Sequence, residues 1–421
     1  MTFDSFVSAQ SFFLWAIFVI ALLMGAIVNK TNFCTMGAVS DLVNIGDTGR
    51  FRAWLFAIAV ALLGVTVLES SGLVNVSASF PPYRGSQLIW AENLLGGILF
   101  GIGMTLASGC GNKCLVRIGG GNLKSILVFA VIAAIAYFMV NPFPGTDQTL
   151  FTVLFYNWIR PLAIDLGSSQ DLGTLVAGSV DAASARMIIG GALGALLVVI
   201  TFSSRDFRGS FDNVLGGLAV GLAVLAAWYV TSNVQLDIDG EQYTLQSYAQ
   251  QWDFLAESDQ GKPADTRPLM PQSFTFINPM GQTAGYSASG FNSAYLTFGV
   301  MAVAGVILGS LLWALLSRSF RFEWFASFRD FLNHFVGAIL MGFGGVLALG
   351  CTIGQGITGI STLALGSFVA FGGIVFGSAL TMKIQFYKMV YEADASFAAA
   401  LVTSLVDMHL LPRALRRLDA V

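Results

Sequence analysis

Four cysteines, Cys34, Cys110, Cys114 and Cys351, are the side chains of this 421-residue sequence best suited to chemistry. They are too few and too dispersed for the disulfide framework of a small secreted domain. A buried cysteine ordinarily behaves as a small hydrophobe, yet Cys110 and Cys351 stand among glycines and polar residues. Cys110 lies in SGCGNKCLVRIGGGN at 108–122 and Cys351 in GCTIGQGITGIST at 350–362. With Gly109, Gly111, Gly350, Thr352 and Gln355 beside them, these two thiols are candidates to line a pathway. Cys34 follows Lys30 in NKTNFCTMG, and 31–46 reads as a short half-inserted helix with Thr31 and Asn32 available as caps. Cys114 adjoins Lys113 and lies near Arg117, a setting that favours a thiolate. It forms a CxxxC spacing with Cys110, not the CxxC of thioredoxin-like proteins.

The elements that must position these thiols follow from composition. Hydrophobic residues make up 55%, charged residues only 11%, and mean hydropathy is +0.73. About a quarter of an ordinary soluble chain is charged, so the solvent here is a lipid bilayer. A net charge of −3 and two histidines exclude nucleic-acid binding and a histidine metal site, and no cofactor is expected. The apolar stretch beginning at Ser11 lacks a basic preceding region and a cleavage pattern, so it reads as a retained span.

A span needs about 20 mainly apolar residues. Uncharged runs predict nine, near 11–29, 51–68, 93–109, 125–141, 187–202, 213–231, 294–317, 334–350 and 362–382. Lys and Arg concentrate in the connections at 30–52, 113–124, 205–208 and 318–329 and in the tail from 383, which the positive-inside rule assigns to the cytoplasm. The connections at 69–92, 147–181 and 232–293 are acidic or mixed. The last carries Asp237, Asp239, Glu241, Asp253, Glu257, Asp259 and Asp265 against Lys262 and Arg267, and reads as one external, soluble-looking insert. The amino terminus is then outside and the carboxyl terminus inside, with 396–417 as a cytoplasmic amphipathic helix.

An internal repeat organises the chain. At an offset of 241, NLLGGILFGIGMTLASGC (93–110) falls without gaps on HFVGAILMGFGGVLALGC (334–351). About half of the positions are identical, including Gly96/Gly337, Gly101/Gly342, Gly103/Gly344, Gly109/Gly350 and Cys110/Cys351. The loop charges run the two copies in opposite directions. The fold class expected is therefore an all-α integral membrane protein of about nine transmembrane helices plus re-entrant half-helices, in two inverted-topology repeats. The first occupies 11–141 and the second 213–382; an external connection and linking helix at 142–212 separates them, and a cytoplasmic tail spans 383–421. Such repeats place a substrate site at their interface.

From 335 to 382 the sequence has no Asp, Glu, Lys, Arg or His. As one helix those 48 residues would run about 72 Å, so the run must turn back, and it does so at 350–362. Freed backbone groups there must face protein or water. Cys110 and Cys351 thus belong on two broken-helix loops approaching each other. Gln355 takes the place of Cys114 in the second copy, so Cys114 and Lys113 rank below the other candidates.

The Asn-Phe-Cys segment with Ser40-Asp41 and the basic Arg50/Arg52 turn, followed by two glycine-rich Gly-Cys segments, resembles the YeeE/YedE sulfur-transport family over 11–140 and 213–382. The resemblance implies uptake of thiosulfate or a related sulfur anion across the bacterial inner membrane. It makes Cys34, Cys110 and Cys351 relay points, and it suggests a small cytoplasmic sulfur-carrier or sulfurtransferase protein as partner. The acidic insert and Cys114 depart from the family pattern. Chemistry fits the expectation: neutral thiols are weak donors, and a permeant ion must bind well enough to enter and loosely enough to leave. Two other readings use the same residues, a membrane thiol oxidoreductase or sulfurtransferase acting covalently, and a channel for another anion. A cation path is disfavoured, because no candidate span has Asp or Glu at its centre.

Overall fold

The computed structural model describes residues 1–238, 240–251, 268–391 and 395–419. Helices α1 (Phe6–Thr31), α2 (Thr35–Asn44), α3 (Gly49–Ser70), α4 (Trp90–Leu106), α5 (Gly111–Gly119) and α6 (Leu123–Val140) form the first half. A connection with α7 (Asn157–Ile159) and α8 (Leu172–Ala177) leads to α9 (Ala182–Phe202) and α10 (Arg205–Gly209). The second half contains α11 (Phe211–Asn233), α12 (Leu245–Gln250), α13 (Ile277–Ala288), α14 (Phe298–Leu316), α15 (Phe328–Leu347) and α16 (Leu365–Val390). The last helix, α17 (Phe397–Asp407), has 11 residues, too few to cross a bilayer. Among the described residues, nine helical segments are long and apolar enough to span a membrane. Each contains or overlaps one of the nine runs read from the sequence, so the protein is an all-α, multi-pass membrane protein.

The helices start where polar side chains satisfy the first free N–H groups: the hydroxyls of Ser5, Thr297 and Ser327 accept from Ser8, Val300 and Asp330. More telling are the interruptions. Asn32, Ser108 and Leu349 have φ of 51, 58 and 58°, left-handed values that cost a non-glycine residue on the order of 1 to 3 kcal/mol. Each stands two residues before a cysteine, and each cysteine immediately precedes a short helix. Two of those helices are α2 and α5, and the third covers 352–361, with a π-helical turn at Gly354–Gly359.

Tight crossings hold the halves together. A Cβ on Gly96 would lie 2.7 Å from the Gly344 carbonyl oxygen, and one on Gly344 2.6 Å from that of Gly96. Gly103 and Gly337 are related in the same way, at 2.6 and 2.7 Å. Helix α4 therefore packs backbone to backbone on α15, a contact that only small residues permit. Helix α4 also packs on α16, α1 on α14, α3 on α11 and α6 on α13.

Two small sheets mark one face of the bundle: β1 (Thr2–Phe3) pairs with β4 (Gln235–Ile238), which pairs with β5 (Glu241–Thr244), while β2 (Gln87–Leu88) pairs with β3 (Ile164–Asp165). On the opposite face Lys30 pairs with Asp212 at 3.0 Å and Lys124 with Asp330 at 2.9 Å.

The 232–293 stretch differs from its reading as one soluble excursion. Asp239, Asp253, Glu257, Asp259, Asp265, Lys262 and Arg267 lie outside the described residues. Beyond them, Phe274, Phe276, Ile277 and Met280 are fully buried, and α13 packs against α6 and α14. The physical reason is visible in the sequence, because no charged residue occurs between Arg267 and Arg318. An acidic segment precedes an apolar one, and the average over 232–293 conceals the change.

Candidate functional site

The beginnings of four short helical segments come together in the interior. Cys34 and Cys110 occupy the N-cap positions of α2 and α5 in extended backbone, and neither side chain caps its helix. Their thiols instead meet each other, and Cys110 also faces Thr352. The Cys351 sulfur accepts from the Gly354 N–H at 3.5 Å and lies beside Thr275. A Cβ on Gly111 would be 3.0 Å from Ile277 Cδ1, so the start of α5 abuts the start of α13. One on Gly350 would be 3.3 Å from both the Thr275 hydroxyl and the Gln355 side chain.

Free N–H groups at helix starts carry partial positive charge, and none of these four segments has an acid in its first turn. Thr275 and Thr352 are buried, and among the described residues the only groups their hydroxyl oxygens face as partners are the Cys351 and Cys110 thiols. Among the described residues, the centre thus offers thiols, hydroxyls and amide N–H groups with no carboxylate, a donor set for an anion.

Each residue singled out from the sequence can now be placed. Cys110, Cys351, Thr352 and the adjoining Gly109, Gly111 and Gly350 converge. Cys34 lies beside Cys110, closer than a position just beyond the first span suggested. Gln355 is buried behind Cys351, and its Nε2 donates to the Ala348 carbonyl. Cys114 points elsewhere: its sulfur donates to the Ser125 carbonyl at 3.1 Å in the α5/α6 contact. Lys113 donates to Asn32 Oδ1, and the charges of both Lys113 and Arg117 act on Cys34. The 335–382 run carries no cation; those near the thiols come from α5 and, through Arg50, from the start of α3.

Thr275 was missed, although the offset of 241 that relates Cys110 to Cys351 carries Cys34 onto it. Tyr83 was missed as well. It is buried and donates to the Gly354 carbonyl at 2.9 Å, and burial pushes its hydroxyl well above the ordinary value, keeping it a donor.

A charged network braces the far end of the 352–361 segment. Arg84, with 1% of its side chain exposed, pairs with Glu69 and donates to the Thr362 carbonyl at 2.8 Å. Arg186 reaches Glu69 at 3.6 Å and Asp171 at 2.7 Å. The Leu172 N–H donates to the Leu363 carbonyl at 3.0 Å. Burial alone would raise the Asp171 carboxyl, but hydrogen bonds from Arg186, Ser169 and Thr174 outweigh it and hold the group well below the usual carboxylate range.

Among the described residues, nine apolar spans, with broken helices meeting at a thiol-bearing centre that no carboxylate enters, are those of a multi-pass membrane protein of the transporter class. The Sulphur transport family matches residues 30–380, and the chain belongs to that family. It is 22% identical over 390 residues to a thiosulfate transporter, TsuA, of Escherichia coli strain K12, covering 90% of this chain and 96% of that protein. It is 24% identical over 371 residues to the thiosulfate transporter TsuA of Spirochaeta thermophila, covering 85% and 94%. Both relatives are named as transporters, not as enzymes.

Proposed function

We propose that this protein takes up thiosulfate, or a closely related inorganic sulfur anion, across the bacterial inner membrane through a constriction lined by Cys351, Cys110 and Cys34. The observation that carries the reading is the convergence of these thiols with four helix starts and no carboxylate. Both named relatives transport thiosulfate by their names. Segment 352–361 leads toward the Arg84 face and α5 toward the Lys124 face, so an incoming ion would meet Cys351, then Cys110, then Cys34. Backbone N–H groups would offset its charge at each step. The thiols, as weak donors, would hold its terminal sulfur without trapping it. Lys113 and Arg117 would draw the ion onward at the cytoplasmic end, and a small sulfur-carrier protein or sulfurtransferase would receive it there.

The inverted-repeat arrangement belongs to the same proposal. Under the offset of 241, the Gly96–Gly344 contact becomes Gly337–Gly103, and both contacts exist. The packing of α4 on α16 is likewise answered by α15 on α6; α1 on α14 is answered by α11 on α3 only in chain order, because α11 precedes the 232–267 stretch and stands about 204 residues after α1 instead of 241. An exchange of partners of this kind is the signature of two-fold packing. Basic loops on the Lys124 face favour an external amino terminus and a cytoplasmic carboxyl terminus.

Uptake of 35S-thiosulfate into cells lacking other routes tests the reading. Cys110→Ala and Cys351→Ala should each reduce uptake at least tenfold at unchanged protein level in the membrane, a loss of about 1.4 kcal/mol or more of stabilisation. Undiminished uptake in both variants would refute the proposal. Label trapped on a cysteine and turning over with substrate would instead support covalent sulfur transfer.

A further inference from the structure

Helices α15 and α16 both pack on α4, and a groove of about 970 Å³ runs between them with Ile102 and Leu106 of α4 in its wall. It opens on the Lys124 face, where α15 begins and α16 ends. Two cations stand at its mouth: Arg329 in the first turn of α15 and Lys388 in the last turn of α16. Both are exposed, and among the described residues neither takes part in an ion pair. By contrast, Lys124 and Arg416 on the same face are answered by Asp330 and Asp407. No lining residue is acidic. Helix α17 starts at the wall with Phe397, and its first turn holds no acid either, so its free N–H groups add partial positive charge.

The lining changes with depth. Asn333 is one helical turn inward from Arg329, and Gln385 one turn inward from Lys388, since residues three or four apart share a helix face. Beyond them the wall is aliphatic, with Leu380 and Ile384 meeting Ile102 and Leu106. Cation, amide and hydrocarbon thus follow one another from the interface into the membrane, the order of head, glycerol and chain in a phospholipid. Helices α4, α15 and α16 belong to membrane spans, so the groove lies beside lipid. An arginine fork and a lysine point charge together suit a phosphodiester, and basic pockets between spans are a known mode of anionic-lipid recognition.

We propose that this groove is a binding site for one anionic phospholipid, its phosphate held by Arg329 and Lys388 and an acyl chain laid against Ile102, Leu106 and Ile384. The site is independent of the uptake reading and stands whether or not thiosulfate is the cargo. It has a route to the thiol centre, however. Leu106 ends α4 four residues before Cys110, and at the preceding residue the Thr105 hydroxyl is 2.8 Å from that of Ser378 on α16. A lipid in the groove would therefore brace the end of α4 that leads to Cys110.

Thermal unfolding of the detergent-solubilised full chain, titrated with short-chain phosphatidylglycerol, tests the site. Saturating lipid should raise the parent Tm by about 2 to 4 °C, because a ligand that binds only the folded state stabilises it. Phosphatidylcholine and glycerol 3-phosphate should each leave it within about 1 °C, the first lacking net charge and the second a chain. Arg329→Gln and Lys388→Gln should each weaken the apparent lipid affinity about fivefold, and the double variant about thirtyfold. Their lipid-free Tm should match the parent, since both side chains are exposed and unpaired. Thr381→Trp, which fills the groove and leaves both charges, should weaken binding as well, whereas Arg413→Gln, a cation outside the groove, should not. Equal stabilisation by phosphatidylcholine would make the effect unspecific, and equal stabilisation by glycerol 3-phosphate would make the ligand a free phosphate. Either result, or a double variant that responds as the parent does, overturns the proposal.

Discussion

At the residue scale, the centre of the molecule is assembled from side chains whose donors are weak or left over. Cys34 and Cys110 could have capped their own helices and do not. Thr275 and Thr352 are buried with hydroxyls that, among the described residues, face no stronger partner than a thiol. Each such choice forgoes on the order of 1 kcal/mol of stability, which suits groups reserved for a ligand. Thr275 is the sharpest test, since it occupies the position to which the repeat offset carries Cys34. Replacing it by valine, which keeps shape and removes the hydroxyl, should lower the 35S-thiosulfate uptake rate roughly two- to tenfold, while Thr275→Ser should stay near the parent. Equal uptake in both variants would show that the hydroxyl does not face the ion.

At the element scale, the short segment 352–361 is held between the thiol site and a rigid brace. Arg84 supplies a buried charge to Glu69 and a donor to the Thr362 carbonyl, so its removal leaves that carbonyl unpaired and Glu69 with Arg186 alone, at 3.6 Å. Arg84→Met is expected to cost about 3 to 5 kcal/mol, as for a buried pair broken from one side, read as a lower Tm of the detergent-solubilised protein. A hydrophobic replacement of comparable stability would show that the brace contributes little. Asp171 adds a pH signature. Its folded value is depressed, so its contribution is present above the ordinary aspartate value of about 3.9 and is lost as pH falls through the folded value. The Tm deficit of Asp171→Asn should therefore be full at pH 7 and shrink below about pH 4. A deficit independent of pH would assign the effect to packing.

At the scale of the whole molecule, the α4/α15 crossing governs how the two halves meet. Gly103→Val and Gly337→Val each insert side-chain atoms against backbone across the same contact, with an expected cost of about 1 to 3 kcal/mol apiece. Their double variant should cost less than the sum, because the first separation already admits the second. Strict additivity in thermal unfolding would show that the two sites are independent. The spans were legible in the sequence because the bilayer demands long uncharged runs, and each of the nine lies where such a run occurs. The break before Cys351 was legible for the same reason, since no single helix could hold 48 such residues. Helix α13 was hidden by averaging it with the charges that precede it. The meeting of Cys34 with Cys110 was not legible, since 76 residues of separation say nothing about approach and only the packing of α1, α5 and α14 brings them together.

The presence of threonine where the other three corners carry sulfur makes the centre lopsided. A thiosulfate ion is itself two-ended, with one polarisable atom and three compact oxygens. In a ring of four equal corners it could tumble; on the proposed uptake path its soft end would favour the thiols and its oxygens the hydroxyl. The ion would then travel in a fixed attitude, like a key that fits one way round, and a symmetric anion such as sulfate would find no corresponding orientation to adopt.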